Sequence, residues 1–596
     1  MGSGGLVATP QGYFATVRNA EIAAALDEIG TLYELDGAVR YRVIAYREAA
    51  RVIRASPVSI EELAREGRLT ELPGIGATLE QKVLTLLDTG SIPSADRLKE
   101  KFPSSLIEVT RIPGLGAKTA RWLYDEIGIA DLEGLEAAAR SGKLSSLRGF
   151  GEKAEEKLLA QIERLGEEGH AARLLLSTVL PVADELVEAL RELPEAERVE
   201  IAGSARRMAE TCKDIDLIAT ASDPAALAEA LRTHPLVAQT GRAGDAGARI
   251  VTHHGVSVDL RISPPHAFGN MLQHFTGSAE HNVQLRERAV AAGLSVSEHG
   301  IAAISDGKRS EVAETFATEE EVYERLGLAY VEPELREGRG ELDAARDGEL
   351  PELVRRDEIR GDLHCHTTLS DGKNSLEEMA AAARERGYAY LALTDHSASH
   401  GFGNHVTDAQ LAARIEEVRD WNAGKRGFRL LAGSEVNVLP DGSLDYPDEL
   451  LGELDWVIAS VHTAFRMSSR EMTERVLAAI ENPLVDCIGH LTSRLILRRE
   501  PYDVDIERIA EAAAQSKTML EINGNPNRRD LSEHHARLAA EAGAWIVVNT
   551  DAHQIRTLDN MRYGIATARR AWLSADKIAN TRNWRDFQRL RKRSKR

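Results

Sequence analysis

The chain has 596 residues, is 43% hydrophobic and carries a formal net charge of −20, so it is expected to fold as several domains rather than around one core. No apolar run reaches the roughly 18–20 residues of a membrane span, the N-terminal stretch MGSGGLVATPQGYF lacks the charged and apolar regions of a signal peptide, and the three cysteines, Cys212, Cys365 and Cys487, lie too far apart for a disulfide framework. These features predict a cytoplasmic protein without membrane contact, and the acidic balance counts against nucleic acid as a partner, although net charge averages over domains.

The first 165 residues read as helices, with apolar residues at three- and four-residue spacing in EIAAALDEIGTLYELDG. Three related phrases follow: LPGIGATLEQKVLTLL (72–87), IPGLGAKTARWLYDEI (112–127) and LRGFGEKAEEKLLAQI (147–162). Each places G-x-G before a helical pattern. Glycine permits the tight turn, and the helix N-terminus offers backbone N–H groups and a favourable dipole to an anion. That grip on phosphate needs no net positive charge. The phrases resemble helix-hairpin-helix motifs of DNA-binding proteins, which implies DNA contacts at Gly74, Gly76, Gly114, Gly116, Gly149 and Gly151; the third copy has Arg148 in place of the proline.

Next, VEIAGSARRMAETCKDIDLIATA (199–221) contains two short strand patterns. On a strand Asp214 and Asp216 share one face while Ile215 takes the other. A further strand, GVSVDLRIS (255–263), supplies Asp259. Carboxylates side by side repel unless cations lie between them, and three on neighbouring strands suit two Mg²⁺ ions of the kind that stabilise phosphoryl transfer. Gly203-Ser204 and the pair Arg206-Arg207 are candidates for binding phosphates.

The string GS-x-RR-(x)6-D-x-D resembles the nucleotidyltransferase palm of family X DNA polymerases. HFTGSAEHN (274–282) and YVEPELREGRGEL (330–342) are similar to that family's sugar-and-base segment and closing thumb. The resemblance implies that Asp214, Asp216 and Asp259 hold Mg²⁺ or Mn²⁺, and that Asp259 helps activate a primer 3′-OH. It implies that Gly203, Ser204 and Arg207 hold the triphosphate, that Phe275 and Gly277 shape the sugar pocket, and that Asn282 approaches the base. Met208 and Lys213 stand where the family has small glycines, and His274 replaces a frequent tyrosine. Lys82 aligns with the Schiff-base lysine of the deoxyribose-phosphate lyase of some relatives; an exposed helix lysine is the simpler reading of it.

Residues 335–360 are charged and Gly-punctuated and read as a linker. After them, short apolar strands alternate with amphipathic helices, a rhythm that implies a parallel α/β barrel. Polar residues fall at the strands' C-terminal ends, where barrel active sites are built. They are His364, His366, Asp371, His396, Glu435, His462, His490, Asp551 and His553. Imidazole and carboxylate ligate Zn²⁺, Mn²⁺ and Fe²⁺, and this set suffices for up to three ions. The pattern resembles the PHP (polymerase and histidinol phosphatase) domain, whose metal cluster implies hydrolysis of phosphoesters. Asp395, His400, Asn404, Asn523 and the pair Arg528-Arg529 lie near the same motifs as candidate supporting groups. The final RNWRDFQRLRKRSKR reads as a solvated basic end.

The expected fold is therefore multidomain α and α/β. It comprises an N-terminal helical lyase-like region with helix-hairpin-helix (1–100), a fingers-like helical region with helix-hairpin-helix (101–170), a nucleotidyltransferase palm (171–265), a thumb (266–340), a linker (341–360), a distorted (β/α) PHP barrel (361–575) and a basic tail (576–596). The expected function is a monomeric repair polymerase that fills short gaps, acting on gapped or primer-template DNA and deoxynucleoside triphosphates. Its PHP 3′-5′ exonuclease is open to abasic-site cleavage or 3′-phosphate removal as well. Two alternatives stand beside it: a PHP phosphatase of small metabolites with a vestigial polymerase, and a non-enzymatic DNA-end scaffold.

Overall fold

Helical periodicity governs the front of the chain in a computed structural model, which describes residues 19–54, 56, 60–110, 112, 115–144, 155, 158–159, 173–305, 308–399 and 405–592. The third glycine hairpin, with Gly149 and Gly151, lies outside the described residues, as do Gly114, His400 and Asn404. Two units are distinguished: residues 1–173, 178–201 and 213–264 form the first, and 174–177, 202–212 and 265–596 the second. Among the described residues no helix is long and apolar enough to cross a membrane.

In the first unit, Ile22, Leu26 and Ile29 of helix Asn19–Leu35 share a core with Ala50 and Ile53 of helix Arg40–Arg54, Val83 of helix Ala77–Thr89 and Leu123 of helix Ala117–Ile127. The same unit holds a sheet of five strands among the described residues, in the order Ala196–Ile201, Asp214–Ala221, Ser257–Ile262, Gly247–Thr252, Val237–Gly244. Asp214–Ala221 and Ser257–Ile262 run parallel. Strand alternation sends Ile215 and Leu217 into the interior at 0% exposure, which leaves Asp214 and Asp216 together on the other face.

In the second unit, helices Phe268–Thr276 and Ala279–Ala291 are followed by a three-stranded antiparallel sheet. The segment read as a linker is ordered here. Helix Glu341–Asp347 buries Leu342 and Ala345 in a core with Leu285, Tyr323, Val331 and Leu335. Buried Glu341 accepts from the Gly338 and Arg339 amides at 2.8 and 2.6 Å and pairs with His281 Nδ1 at 2.7 Å. A charged composition misled because this carboxylate is wholly satisfied inside the fold.

The barrel has seven parallel strands among the described residues, neighbours in chain order from Gly361–Asp362 to Ile546–Asn549. An isolated parallel bridge between Cys365 and Ala552 brings the first strand's end back to the last. Alternation sorts each strand: Tyr390, Leu431, Trp456, Cys487, Met519 and Val547 form one core with Phe587, while Leu391, Leu430, Val457, Ile488, Leu520 and Val548 pack with the helices.

The tail is likewise ordered as far as residue 592. Helix Trp584–Leu590 seats Phe587 at 0% exposure, stacked on Tyr390 with ring centroids 5.3 Å apart. Arg591 pairs with Asp486 at 3.4 Å. Lys592 Nζ donates to the Ile480 and Asn482 carbonyls at 2.7 and 2.8 Å, at the C-terminal end of helix Ser469–Glu481, where a cation is favoured. The apolar Trp584 and Phe587 among the basic residues carry this docking. Phe587→Ala should destabilise the barrel by about 3–5 kcal/mol, read as a lower melting temperature by calorimetry of the full chain.

Candidate active sites

The strand register fixes the first carboxylate group. Asp216 lies directly opposite Asp259, and Asp214 opposite Ser257, one pleat along. All three are half-buried. Like charges held cross-strand repel, and Arg261 lies 3.5 Å from Asp259. The residue types and their shared face fit divalent cations bound by hard oxygen ligands.

In the second unit, Gly203 opens the turn Gly203–Arg206 with φ of +62°, in the left-handed region that favours glycine. Arg206 does not face a phosphate: it is bidentate on Glu319 at 2.9 and 2.6 Å and donates to Thr276. Buried Arg336 holds the same carboxylate at 2.6 Å. Burial would raise the Glu319 pKa, but Arg336 and Arg206 outweigh it and hold it down to about 2. Arg207 donates to the Thr276 carbonyl at 2.5 Å and to Glu337 at 3.0 Å. Gly277 has φ of +67°, in the left-handed region that favours glycine, and a Cβ there would crowd the Arg207 guanidinium at 3.1 Å. Phe275 is half-buried in an edge-to-face contact with His274. Asn282 donates to the His274 carbonyl at 2.7 Å and accepts from Gln273 at 2.9 Å.

In the first glycine hairpin Ile75 is buried while Gly74 and Gly76 are exposed, and Gly76 caps helix Ala77–Thr89. Nothing lies within 4 Å of a Cβ built at Gly76 or Gly116, so a phosphate backbone can approach both turns. Lys82 is half-buried rather than exposed; its Nζ donates to Ser94 Oγ at 2.8 Å and lies 5.8 Å from the Tyr46 ring centroid.

The barrel brings all nine of its predicted ligands to one end. Glu435, at 0% exposure, is the centre. Its carboxylate lies 2.8 Å from His396, 2.8 Å from His490, 3.2 Å from His462, 3.4 Å from His364 and 3.6 Å from His366. Asp551 reaches His366 at 3.1 Å, and Asp371 reaches His553 at 3.2 Å. Among the described residues three groups have ligand atoms mutually within 4.8 Å: His366, Asp371, His396 and His553; His364, His366 and Asp551; His396, Glu435 and His462.

Chemistry and burial together show that this set fits metal ions. Both Glu435 oxygens, His364 Nε2 and His366 Nδ1 are buried and make no well-aligned hydrogen bond, although imidazole nitrogens crowd the Glu435 carboxylate from 2.8 Å. Leaving such groups unsatisfied is costly unless a cation takes them. Burial, with His553 and His396 alongside, pushes His366 down to about 4; burial outweighs Glu435 to push His462 to about 4. Both rings therefore keep a lone pair for a metal at neutral pH. Burial alone would raise the Glu435 carboxyl, yet the imidazoles of His462, His364 and His396 hold it well below the usual range.

The supporting groups are equally specific. Glu521, absent from the ligand set read in the sequence, accepts from His364 Nδ1 at 2.7 Å, the His490 amide at 2.8 Å and Asn549 at 3.0 Å. It fixes the His364 ring so that Nε2 faces the cluster. Its signal was period two in TMLEING: Met519, Glu521 and Asn523 share the inward face. Asn523 donates to Glu521 and Asp551 at 3.2 and 3.1 Å. Asp395 is engaged by the neighbouring turn: it accepts from Thr367 N, Thr367 Oγ1 and Ser370 Oγ at 2.8 Å each and so holds the turn that carries Asp371. Arg528 Nε lies 3.8 Å from Asp551, and its buried Nη1 makes no hydrogen bond.

Comparison with known proteins agrees with this layout. A helix-hairpin-helix domain family matches residues 17–92, a SAM-like helix-hairpin-helix tandem 106–164, the DNA polymerase beta thumb 271–337 and the PHP domain 362–525. The chain is 36% identical over 577 residues to the DNA polymerase/3′-5′ exonuclease PolX of Bacillus subtilis, covering 96% of this chain and 99% of that protein. It is 31% identical over 239 residues to a probable phosphatase of Thermoanaerobacter sp., covering 37% of this chain and 89% of that protein. A probable phosphatase of Escherichia coli is 30% identical over 207 residues, covering 33% of this chain and 80% of that protein.

Proposed function

Because the chain belongs to the PolX family of bacterial DNA polymerase/3′-5′ exonucleases, we propose that its two carboxylate clusters divide opposite reactions between them. The sheet carrying Asp214, Asp216 and Asp259 extends a DNA primer, and the barrel cluster around Glu435 hydrolyses 3′ ends. The observation that carries this division is the barrel's buried ligand set, whose unsatisfied Glu435, His364 and His366 atoms have no role in a vestigial or purely architectural domain.

Asp214, Asp216 and Asp259 in the sheet and the imidazole-carboxylate set in the barrel would hold divalent cations, which would offset phosphoryl charge and, in the barrel, would lower the pKa of a water. The rest is the work of side chains. In the polymerase, Asp259 orients the primer 3′-OH towards the α-phosphorus, and Ser204 and Arg207 hold the triphosphate until pyrophosphate leaves. The exposed glycine turns at Gly74–Gly76 and Gly116 grip the DNA backbone with amides. In the barrel, Glu521 and Asn523 hold His364 and Asp551 in register, and Arg528 at the rim takes a non-bridging oxygen of the terminal phosphodiester. Mg²⁺ or Mn²⁺ suits the polymerase carboxylates, and up to three Mn²⁺, Zn²⁺ or Fe²⁺ ions suit the mixed imidazole-carboxylate cluster. The protein acts in the cytoplasm as a monomer that fills short gaps in repair, with abasic-site cleavage and 3′-phosphate removal within reach of the same cluster. Half-buried Lys82, beside Ser94 and Tyr46, would supply a lyase.

Incubation of the purified chain with a gapped primer-template and Mn²⁺ tests the reading. The primer should lengthen to fill the gap when deoxynucleotides are present and shorten from its 3′ end when they are absent. Hydrolysis of small phosphorylated metabolites without action on DNA ends would refute it.

A further inference from the structure

The turn from Gly203 to Glu210 receives three arginines from the barrel domain. Arg570 Nη1, at the end of helix Met561–Arg570, donates to the Arg207 carbonyl at 2.9 Å. Arg529 Nη1 donates to the Met208 carbonyl, also at 2.9 Å. Arg494 pairs with Glu210 and donates to the Arg529 carbonyl, so the second and third contacts brace one another. Arg529 and Arg570 are buried, at 1% and 6% exposure.

These contacts act on backbone orientation. Met208 has φ of +53°, a conformation that a side chain disfavours and that its surroundings must hold. A peptide unit is planar, so fixing its carbonyl fixes the N–H on the opposite side. The unit whose carbonyl Arg529 takes carries the Ala209 N–H, which donates to the Ser204 carbonyl at 3.0 Å. The unit whose carbonyl Arg570 takes carries the Met208 N–H, which donates to the Ala205 carbonyl at 3.1 Å. Arg570 also shares Glu337 with the Arg207 guanidinium, at 2.8 and 3.0 Å. The barrel thus fixes both the backbone under Ser204 and the side chain of Arg207.

We propose that Arg529 and Arg570 are positioning residues for nucleotide binding, so that the hydrolytic domain shapes the polymerase's triphosphate turn. The inference rests on the reading of residues 203–207 as the nucleotide grip. It requires that polymerase KM for the incoming nucleotide respond to residues that touch neither nucleotide nor primer.

Single-nucleotide insertion by the full chain tests it. Arg529→Leu and Arg570→Met should each raise KM for the deoxynucleotide roughly 10- to 100-fold, with kcat changed far less. Arg570→Lys, which keeps one donor, should recover part of the loss, and shortening of a 3′ end should continue at the parental rate in Arg570→Met. Glu210→Gln loosens the Arg494 pairing from the turn side while both Arg529 and Arg570 stay in place, and should raise KM several-fold even if the arginine variants fold poorly. Unchanged KM in folded variants overturns the inference, as does an equal fall of both activities with a lowered melting temperature. Ser204→Ala separates the two layers. If it leaves KM unchanged, the reading of the turn as the nucleotide grip is wrong; if it raises KM and the arginine and Glu210 variants do not, the positioning role alone is wrong.

Discussion

Asp216→Ala should abolish primer extension while 3′-end shortening continues at the parental rate. Asp216 is the one carboxylate of the sheet that has Asp214 two residues away on its own face and Asp259 directly across the ladder, so it is the shared member of any pair of cations held there. Its removal forfeits several kcal/mol of charge stabilisation at the phosphoryl group, roughly a thousand-fold in rate. The fold should not suffer. Asp216 is half-buried beside Asp214 and across the ladder from Asp259, and deleting one of these like charges relieves the repulsion among them. Asp216→Asn should behave as the alanine does, because the charge rather than the shape is what is lost. Gap-filling assays with each variant over a range of Mn²⁺ concentrations read this directly. Extension restored by high Mn²⁺ to the parental rate would remove Asp216 from the catalytic group.

What the sequence made legible followed local periodicity. A D-x-D pair on a strand must share a face, and histidines at the ends of successive apolar strands must share a rim, because the barrel closes all those ends onto one mouth. What stayed hidden depended on partners far away in the chain. Arg206 and Arg207 read alike as phosphate ligands, yet Glu319, more than a hundred residues on, captures the first in a bidentate pair and Glu337 takes the Nε of the second. Glu341 reads as one more charge in a charged stretch until His281 is seen against it. Trp584 and Phe587 are outnumbered by basic residues, but the barrel floor offers Tyr390 and Trp456 to them. Glu521 was readable in principle, since a carboxylate on the inward face of a buried strand needs a cation or a donor. It was overshadowed because it lies inside the strand rather than at its end.

Glu435→Gln should abolish shortening and leave extension intact. Glutamine keeps the volume and one carbonyl oxygen. It replaces an anion with a neutral group at the point where the imidazoles of His364, His366, His396, His462 and His490 converge. With Asp371 and Asp551, Glu435 is one of the three carboxylates whose charge must balance the bound cations. An amide supplies one weaker oxygen donor where a carboxylate supplies two, and its N–H₂ group turns towards histidine nitrogens needed for metal. The expected result is the loss of at least one bound ion by elemental analysis, together with a fall in exonuclease rate on the order of 10³-fold. Glu521→Gln should be milder, about 10- to 100-fold, because it misorients His364 without removing a ligand. A Glu435→Gln protein that retains its full metal content and still shortens DNA would place the hydrolytic chemistry away from this cluster.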